Sequence, residues 1–306
     1  MTGAIVTGAG GFLGYALARH LERRAVPLRG LDLRGSSSGH AIRCVDLSNL
    51  ESTCGAIAVS VEELGGRPTM FHLAGLAHAG LCRADPSAAF TANVTATANV
   101  LEACRRVGVS RIVFPSTALV YALPGPLPIT EQAPLGPRSI YAATKVCAEA
   151  ILGGYAADYS FSIDIARLGN VYGPGGPADS VASTLLRQVI GDGHVHLRTL
   201  APVRDFIHRD DVVDGLIRLA EAGGEPGLRI FNLSSGVGTS IGELAELANQ
   251  AIGHATPAIE TEPGTGREDR ITLDVGLLKR RTGWTPAIPL RDGVMQTLQA
   301  IREERR

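Results

Sequence analysis

Tyr141 and Lys145 stand four residues apart in the run Tyr141-Ala142-Ala143-Thr144-Lys145. On a helix that spacing sets a phenol and an ammonium on one face, a turn apart. A lysine cation near a tyrosine hydroxyl favours the phenolate and lowers its pKa, making a proton acceptor of a group otherwise too weak at neutral pH. The same pair also occurs as two ordinary surface residues, so its meaning depends on what the rest of the chain brings beside it. Ser139 is placed to cap the helix that carries both.

The company comes from strand ends. Ala4 to Thr7 is a short apolar run ending in Gly8-Ala9-Gly10-Gly11-Phe12-Leu13-Gly14, and an amphipathic stretch runs from Phe12 to Ala25. Strand, glycine turn and helix in that order leave room for a pyrophosphate at Gly8, Gly11 and Gly14. Backbone amides and the positive end of the helix face it. The next strand, Leu28 to Leu33, carries Asp32, close to where a dinucleotide fold keeps the acid for the adenosine ribose hydroxyls. An acid there favours NAD over NADP, while Arg34 beside it is a group a 2′-phosphate could use. Ile42 to Asp46 reads as a further strand. Asp46 then either hydrogen-bonds an adenine amino group, with Leu47 packed on the ring, or caps a helix from about Asn49.

Thr69 to Leu73 is the next strand, and its end, Leu73-Ala74-Gly75, is small enough for a ligand to approach. His72 reads as a core or supporting residue, because no Cys or carboxylate stands at metal-ligand spacing from it. Pro86 to Val107 reads as one long helix with Asn93 as a polar interruption. Arg111 to Pro115 is a strand with Ser116-Thr117 at its carboxyl end, and the prolines between 124 and 137 make a surface loop. Strand and helix alternate to about residue 168, which predicts an α/β fold with a doubly wound parallel sheet. Ligands of such sheets lie at the carboxyl ends of the strands, where the glycine turn, Asp32, Ala74-Gly75 and Thr117 all fall.

The totals exclude other classes. Apolar content of 45% against 19% charged is ample for a core, and a net charge of −1 without a basic block argues against nucleic-acid or anionic-membrane partners. Five cysteines (44, 54, 82, 104 and 147) show no CxxC spacing and read as free buried thiols of a reducing compartment. No apolar run is long enough to span a bilayer and no leader is evident, so a cytoplasmic protein is expected.

Taken together, TGAGGFLG, FHLAG, PSTALVY, YAATK, LGNVYGPGG and RDFIHRDDV resemble, in order and over nearly the whole chain, the extended short-chain dehydrogenase/reductases. Within these the chain resembles the NAD-dependent sugar-nucleotide epimerase/dehydratase group, and its UDP-glucose 4-epimerase-like members above all. The resemblance implies a Rossmann-type NAD-binding domain over residues 1–170 and a smaller α/β sugar-nucleotide-binding region over 171–306. It implies that Gly8, Gly11, Phe12, Leu13 and Gly14 hold the pyrophosphate. Asp32 would take the ribose, Asp46 and Leu47 the adenine. Leu73, Ala74 and Gly75 would pass the phosphates, and Asn93 would lie on the helix beside the cofactor. Thr117, Tyr141 and Lys145 would be catalytic, with Tyr141 and Lys145 also touching NAD. Asn170 and Arg204 would hold the substrate diphosphate with Arg267 or Arg270, although Arg204-Asp205 reads equally well as a structural ion pair. A homodimer built on the helices carrying Asn93 and Tyr141 is also implied, with Val94, Val100, Leu101, Ala148, Ile151 and Leu152 available for it or for the core. The 4,6-dehydratases carry Asp-Glu after the threonine; here Ala118-Leu119 follow, which favours epimerisation of a nucleotide sugar at C4.

Overall fold

The computed structural model describes residues 1–35, 42–191, 194–197, 199–253, 258–261 and 269–304. In chain order the elements are β1 (Ala4–Thr7), α1 (Phe12–Arg23), β2 (Leu28–Asp32), β3 (Ile42–Cys44), α2 (Leu50–Leu64), β4 (Thr69–His72), α3 (Ala79–Ala84), α4 (Pro86–Phe90), α5 (Ala96–Val107), β5 (Arg111–Thr117) and α6 (Ile140–Asp158). Then follow β6 (Ser162–Leu168), β7 (Asn170–Tyr172), α7 (Val181–Gly191), β8 (His194–Leu197), β9 (Val203–His208), α8 (Arg209–Ala222), β10 (Gly227–Leu233), β11 (Gly238–Ser240), α9 (Ile241–Ile252), β12 (Ala258–Thr261), α10 (Gly276–Thr282) and α11 (Leu290–Glu304).

Among the described residues, seven strands form a parallel sheet in the order β10-β6-β5-β4-β1-β2-β3. Successive strands step outward on both sides of β1, so the order reverses between β1 and β4. That reversal opens a crevice at their carboxyl ends. Local chemistry fixes the helices around it. Asn49 caps α2 by accepting from the Ser52 amide (2.9 Å), and Gly65 closes α2 in the left-handed region. Ser139 caps α6 through the Ala142 amide (3.2 Å). Ser240 and Glu243 make a reciprocal capping box on α9. The expected helix from Pro86 to Val107 is continuous but is not α-helical throughout: Thr91–Thr95 forms a π-turn between α4 and α5, with Asn93 inside it.

The chain divides into two compact units that interleave in sequence. The first comprises residues 1–122, 133–167 and 213–231; Ile5, Met70, Leu101, Ile112, Phe114 and Ile163 lie at the heart of its core. The second comprises 123–132, 168–212 and 232–306, with Leu185, Phe206, Leu244 and Leu298 central to its core. Several expectations are corrected. Cys44 and Cys147 are exposed rather than buried. Val94, Val100, Leu101, Ala148 and Leu152 are buried within the chain's own core, so of the apolar residues offered for a dimer only Ile151 keeps some exposure. No helix among the described residues is long and apolar enough to cross a membrane.

Candidate functional site

A cavity of about 790 Å³ opens at the crevice, inside the first unit. Gly8, Gly10, Gly11, Asp32, Asp46, Leu47, Leu73, Ala74 and Gly75 line it; Phe12, Leu13 and Gly14 do not. Its floor admits no side chains. A Cβ on Gly8 would lie 2.7 Å from the Ala74 amide nitrogen, and one on Gly14 would lie 2.0 Å from the Gly8 carbonyl oxygen. Gly8 also has φ +68°, which favours glycine. No side chain caps α1 at Gly11, and the positive end of the helix lies at the glycine turn that lines the cavity. The donor set fits an anionic dinucleotide. Asp32 is held from both sides, one carboxylate oxygen accepting from the Gly10 amide (2.9 Å) and the other from the Arg34 amide (3.2 Å). Asp46 is exposed; the Ser48 side chain first, and then the Ser48 amide (2.9 Å), hold its pKa below the usual carboxylate range. It does not cap α2, because Asn49 does.

Asn93 is buried and does not line the cavity. Its Oδ1 accepts from the Leu76 amide (2.7 Å), while its Nδ2 donates to the Leu76 carbonyl (3.0 Å) and to Thr144 Oγ1 (2.9 Å). It therefore splices the loop after β4 to α6. His72 runs parallel to this link. The Ala74 amide donates to the Thr7 hydroxyl (3.2 Å), which lies 2.7 Å from His72 Nδ1. His72 Nε2 lies 3.0 Å from the Thr97 hydroxyl, which donates to the Asn93 carbonyl. Burial first, and then Lys145, push His72 down to about 3. It is a neutral supporting residue, as its setting in an apolar strand predicts, and the described residues contain no cluster that could hold a metal.

Thr117 ends β5, where its hydroxyl accepts from the Leu119 amide (3.3 Å) and lies near enough to Tyr141 to favour the phenolate. Tyr141 is half-buried on the first turn of α6, and Lys145, buried one turn further on, lays its ammonium 4.2 Å from the centre of the Phe114 ring. The electrostatics differ from the expectation. Burial pushes Tyr141 up to about 12, assisted by Cys82 and opposed by the Thr117 hydroxyl. Burial pulls Lys145 down to about 8, opposed by Glu149. Desolvation is the leading cause for both groups: the phenol keeps its proton, and Lys145 is the group that titrates near neutrality.

In the second unit, Asn170 heads β7 in register with Phe206 of β9, two residues along from Arg204. Arg204 forms no ion pair with Asp205; its Nη1 donates to the Val203 and Asp269 carbonyls (2.9 and 2.7 Å). Asp205 instead accepts from the Ser234 and Ser235 hydroxyls (2.6 Å each) and the amides of Ser235, Gly236 and Leu273. Arg270 is exposed, and Arg267 lies outside the described residues. His208 is buried against Tyr172.

Sequence reasoning passed over Ser48, Leu76, Asp85, Ser87 and Thr91, which also line the cavity; loops and helix ends carry no periodic signal. It also passed over a compositional one. The chain holds two lysines, Lys145 and Lys279, among 29 basic residues. Arginine serves every other cationic need, so the lysine beside Tyr141 is set apart by its titratable, compact ammonium.

Known proteins resemble this chain in sequence and fold. The family model described as "NAD dependent epimerase/dehydratase family" matches residues 4–234. A UDP-glucose 4-epimerase of Mycolicibacterium smegmatis is 31% identical, with 98% of each chain covered. A dTDP-glucose 4,6-dehydratase of Streptomyces griseus is 29% identical over 99% of this chain and 95% of its own. Among solved structures, the complex of a Thermus thermophilus UDP-glucose 4-epimerase with NAD superposes with a TM-score of 0.83 at 27% identity, covering 98% of each chain.

Proposed function

This chain belongs to the NAD dependent epimerase/dehydratase family, and from that premise we propose that it epimerises a nucleotide-activated hexose, a UDP-sugar, at C4 through a transient keto sugar. NAD is the family's cofactor. The residues assigned to it are the glycine turn and α1 N-terminus for the pyrophosphate, Asp32 for the ribose, Asp46 and Leu47 for the adenine, and Leu73, Ala74 and Gly75 along the phosphates. Asn93 serves it by holding Leu76 in place. Bound there, NAD supplies the redox chemistry by accepting a hydride and giving it back. The chain's own residues handle the proton. Tyr141 must first give up its own proton, and the Lys145 ammonium stabilises the phenolate; Thr117 orients the sugar hydroxyl and relays its proton to that phenolate, which holds it as the phenol while the keto sugar exists and returns it when the hydride returns. Asn170 and Arg204, with Arg267 or Arg270, are assigned to the diphosphate.

The observation that carries this reading is the gathering of Thr117, Tyr141 and Lys145, with the Thr117 hydroxyl near enough to act on the phenol and Ala118-Leu119 where elimination of water would need an acid and a base. Tyr, Lys and Thr suffice for a reaction with no net redox change. The similarity to a 4,6-dehydratase keeps elimination as the competing reading. The test is to incubate purified protein with UDP-glucose, UDP-N-acetylglucosamine, UDP-glucuronate and dTDP- and GDP-sugars, without added NAD, and to follow products by NMR. Inversion at C4 with no net formation of NADH is expected. A 4-keto-6-deoxy product would establish the dehydratase instead, and stoichiometric NADH would establish a dehydrogenase. Tyr141→Phe should lower kcat by roughly 10³-fold or more while bound NAD is retained. Undiminished activity in that variant would remove Tyr141 from its role.

A further inference from the structure

Behind Lys145 lies a buried charged cluster that the reaction above leaves unused. Glu149 sits one turn beyond Lys145 on α6 and is 5% exposed. Arg167 on β6, 3% exposed, grips it with two nitrogens: Nη2 to Oε2 at 2.6 Å and Nε to Oε1 at 3.2 Å. The Arg167 guanidinium also lies 4.8 Å from the centre of the Tyr121 ring. The third partner is Ser116 on β5, whose hydroxyl donates to Glu149 Oε1 at 2.5 Å. Ser116 precedes Thr117. One carboxylate therefore touches the strand that ends in Thr117, the helix that carries Tyr141 and Lys145, and the next strand of the sheet.

A buried ion pair is poor value for stability alone, because desolvating both charges offsets most of their attraction. Its placement here has a use in the site. Thr117 must meet Tyr141 across the gap between β5 and α6, and Ser116–Glu149 is a direct side-chain tie across that gap. We propose that Glu149 is the positioning residue of this site, acting through Lys145 on one side and through Ser116 on Thr117 on the other. The inference rests on the proposed roles of Thr117, Tyr141 and Lys145.

The groups facing Lys145 are Tyr141 and Glu149 from α6, His72 from β4, the Phe114 ring from β5 and, behind Glu149, Arg167 from β6. His72 is neutral and Tyr141 protonated, so Glu149 is the anion acting on Lys145. It opposes the burial that draws Lys145 down to about 8. Without its charge, the Lys145 ammonium loses that support and faces an uncompensated Arg167.

The two lysines make this directly measurable. Protein labelled with ¹³Cε-lysine has two signals to titrate, and exposed Lys279 is an internal control. In the wild type the Lys145 midpoint is expected near 8. Glu149→Gln keeps the shape and much of the hydrogen bonding; it should move that midpoint down by at least about half a pH unit and leave Lys279 alone. The alkaline limb of the kcat profile should move down with it. Should Glu149→Gln alone not fold, Glu149→Gln with Arg167→Met removes both charges together; its Lys145 midpoint should still lie below the wild type. Ser116→Ala leaves every charge in place, so its Lys145 midpoint should stay put while kcat falls several-fold with KM and bound NAD retained.

An unmoved Lys145 midpoint in a folded Glu149 variant overturns the proposal, as does full kcat in Ser116→Ala. If no sugar nucleotide is turned over by the wild type, the functional reading fails, yet the lysine titration still decides whether Glu149 acts on Lys145.

Discussion

Lys145 illustrates what a buried ammonium costs its own fold. An ammonium brought from an ordinary 10.5 to about 8 makes the folded state less stable at neutral pH by about 3 kcal/mol. The sign follows from proton binding. Below pH 8 both folded and unfolded chains carry the charge and the cost is full. Between 8 and 10.5 the unfolded chain alone stays protonated, so stability rises with pH until the cost is gone. Lys145→Met keeps the apolar stem against Phe114 and removes the charge. Urea unfolding at pH 7 should show it more stable than wild type by roughly 1–3 kcal/mol, with the proposed sugar-nucleotide turnover abolished. The gain should shrink steadily as pH is raised from 8 towards 10.5. A gain that does not vary over that window, or a loss at pH 7, would contradict the burial argument.

The π-turn at Thr91–Thr95 shows what a helix can do that its sequence does not announce. Inserting one extra residue into a helical turn leaves composition and apolar periodicity almost untouched, so Pro86 to Val107 reads as a single helix. Only the polar Asn93 among Phe90 and Val94 hints at a special position. The widened turn points that side chain at Leu76 and Thr144, and a Cβ on Gly75 would lie 2.7 Å from its Oδ1. Strand ends and caps were legible because each has a local signature: the glycine turn, Ser139, and the Ser240/Glu243 pair. The assignment of Asp46 was ambiguous because Asn49, three residues on, competes for the same cap. The Tyr141 environment was misjudged because burial cannot be read from a spacing of four. Asn93→Ala leaves the Leu76 amide without its partner and the Leu76 carbonyl with the Cys82 thiol alone (3.4 Å), which costs about 1–3 kcal/mol. The expected outcome is a lower melting temperature, recovered in part by added NAD, and a protein that purifies with less bound cofactor. An unchanged melting temperature together with full cofactor content would show that the loop after β4 holds its shape without Asn93.

The interleaving of the two units bears on how far the chain can be divided. By sequence, a boundary near residue 170 is natural, since the regular alternation ends there. The first unit nevertheless takes back residues 213–231, which supply most of α8 and β10. β10 is the outer neighbour of β6 in the principal sheet, and every residue of β6 is buried. Asp164 on β6, 2% exposed at its side chain, is clamped between Arg111 of β5 and Arg229 of β10, the latter at 2.6 Å. Arg111 also donates to the Leu219 carbonyl at the end of α8 (2.6 Å), and Arg229 to Ser162 Oγ (2.7 Å). A chain cut after residue 170 loses Arg229 and the Leu219 carbonyl from this clamp. It also turns β6, with Ile163, Ile165 and Leu168, into a bare apolar edge open to pairing with other chains. We expect the fragment 1–170 to be found mostly in aggregates, to lack a cooperative thermal transition and to bind no NAD. The fragment 1–235 restores β10 and α8, and should recover soluble protein with measurable NAD binding. Size-exclusion chromatography, calorimetry and NAD titration on the two fragments make the comparison. A cooperative, NAD-binding 1–170 fragment would show that the residues before 170 make a self-sufficient domain and that the returning segment is an accessory to it.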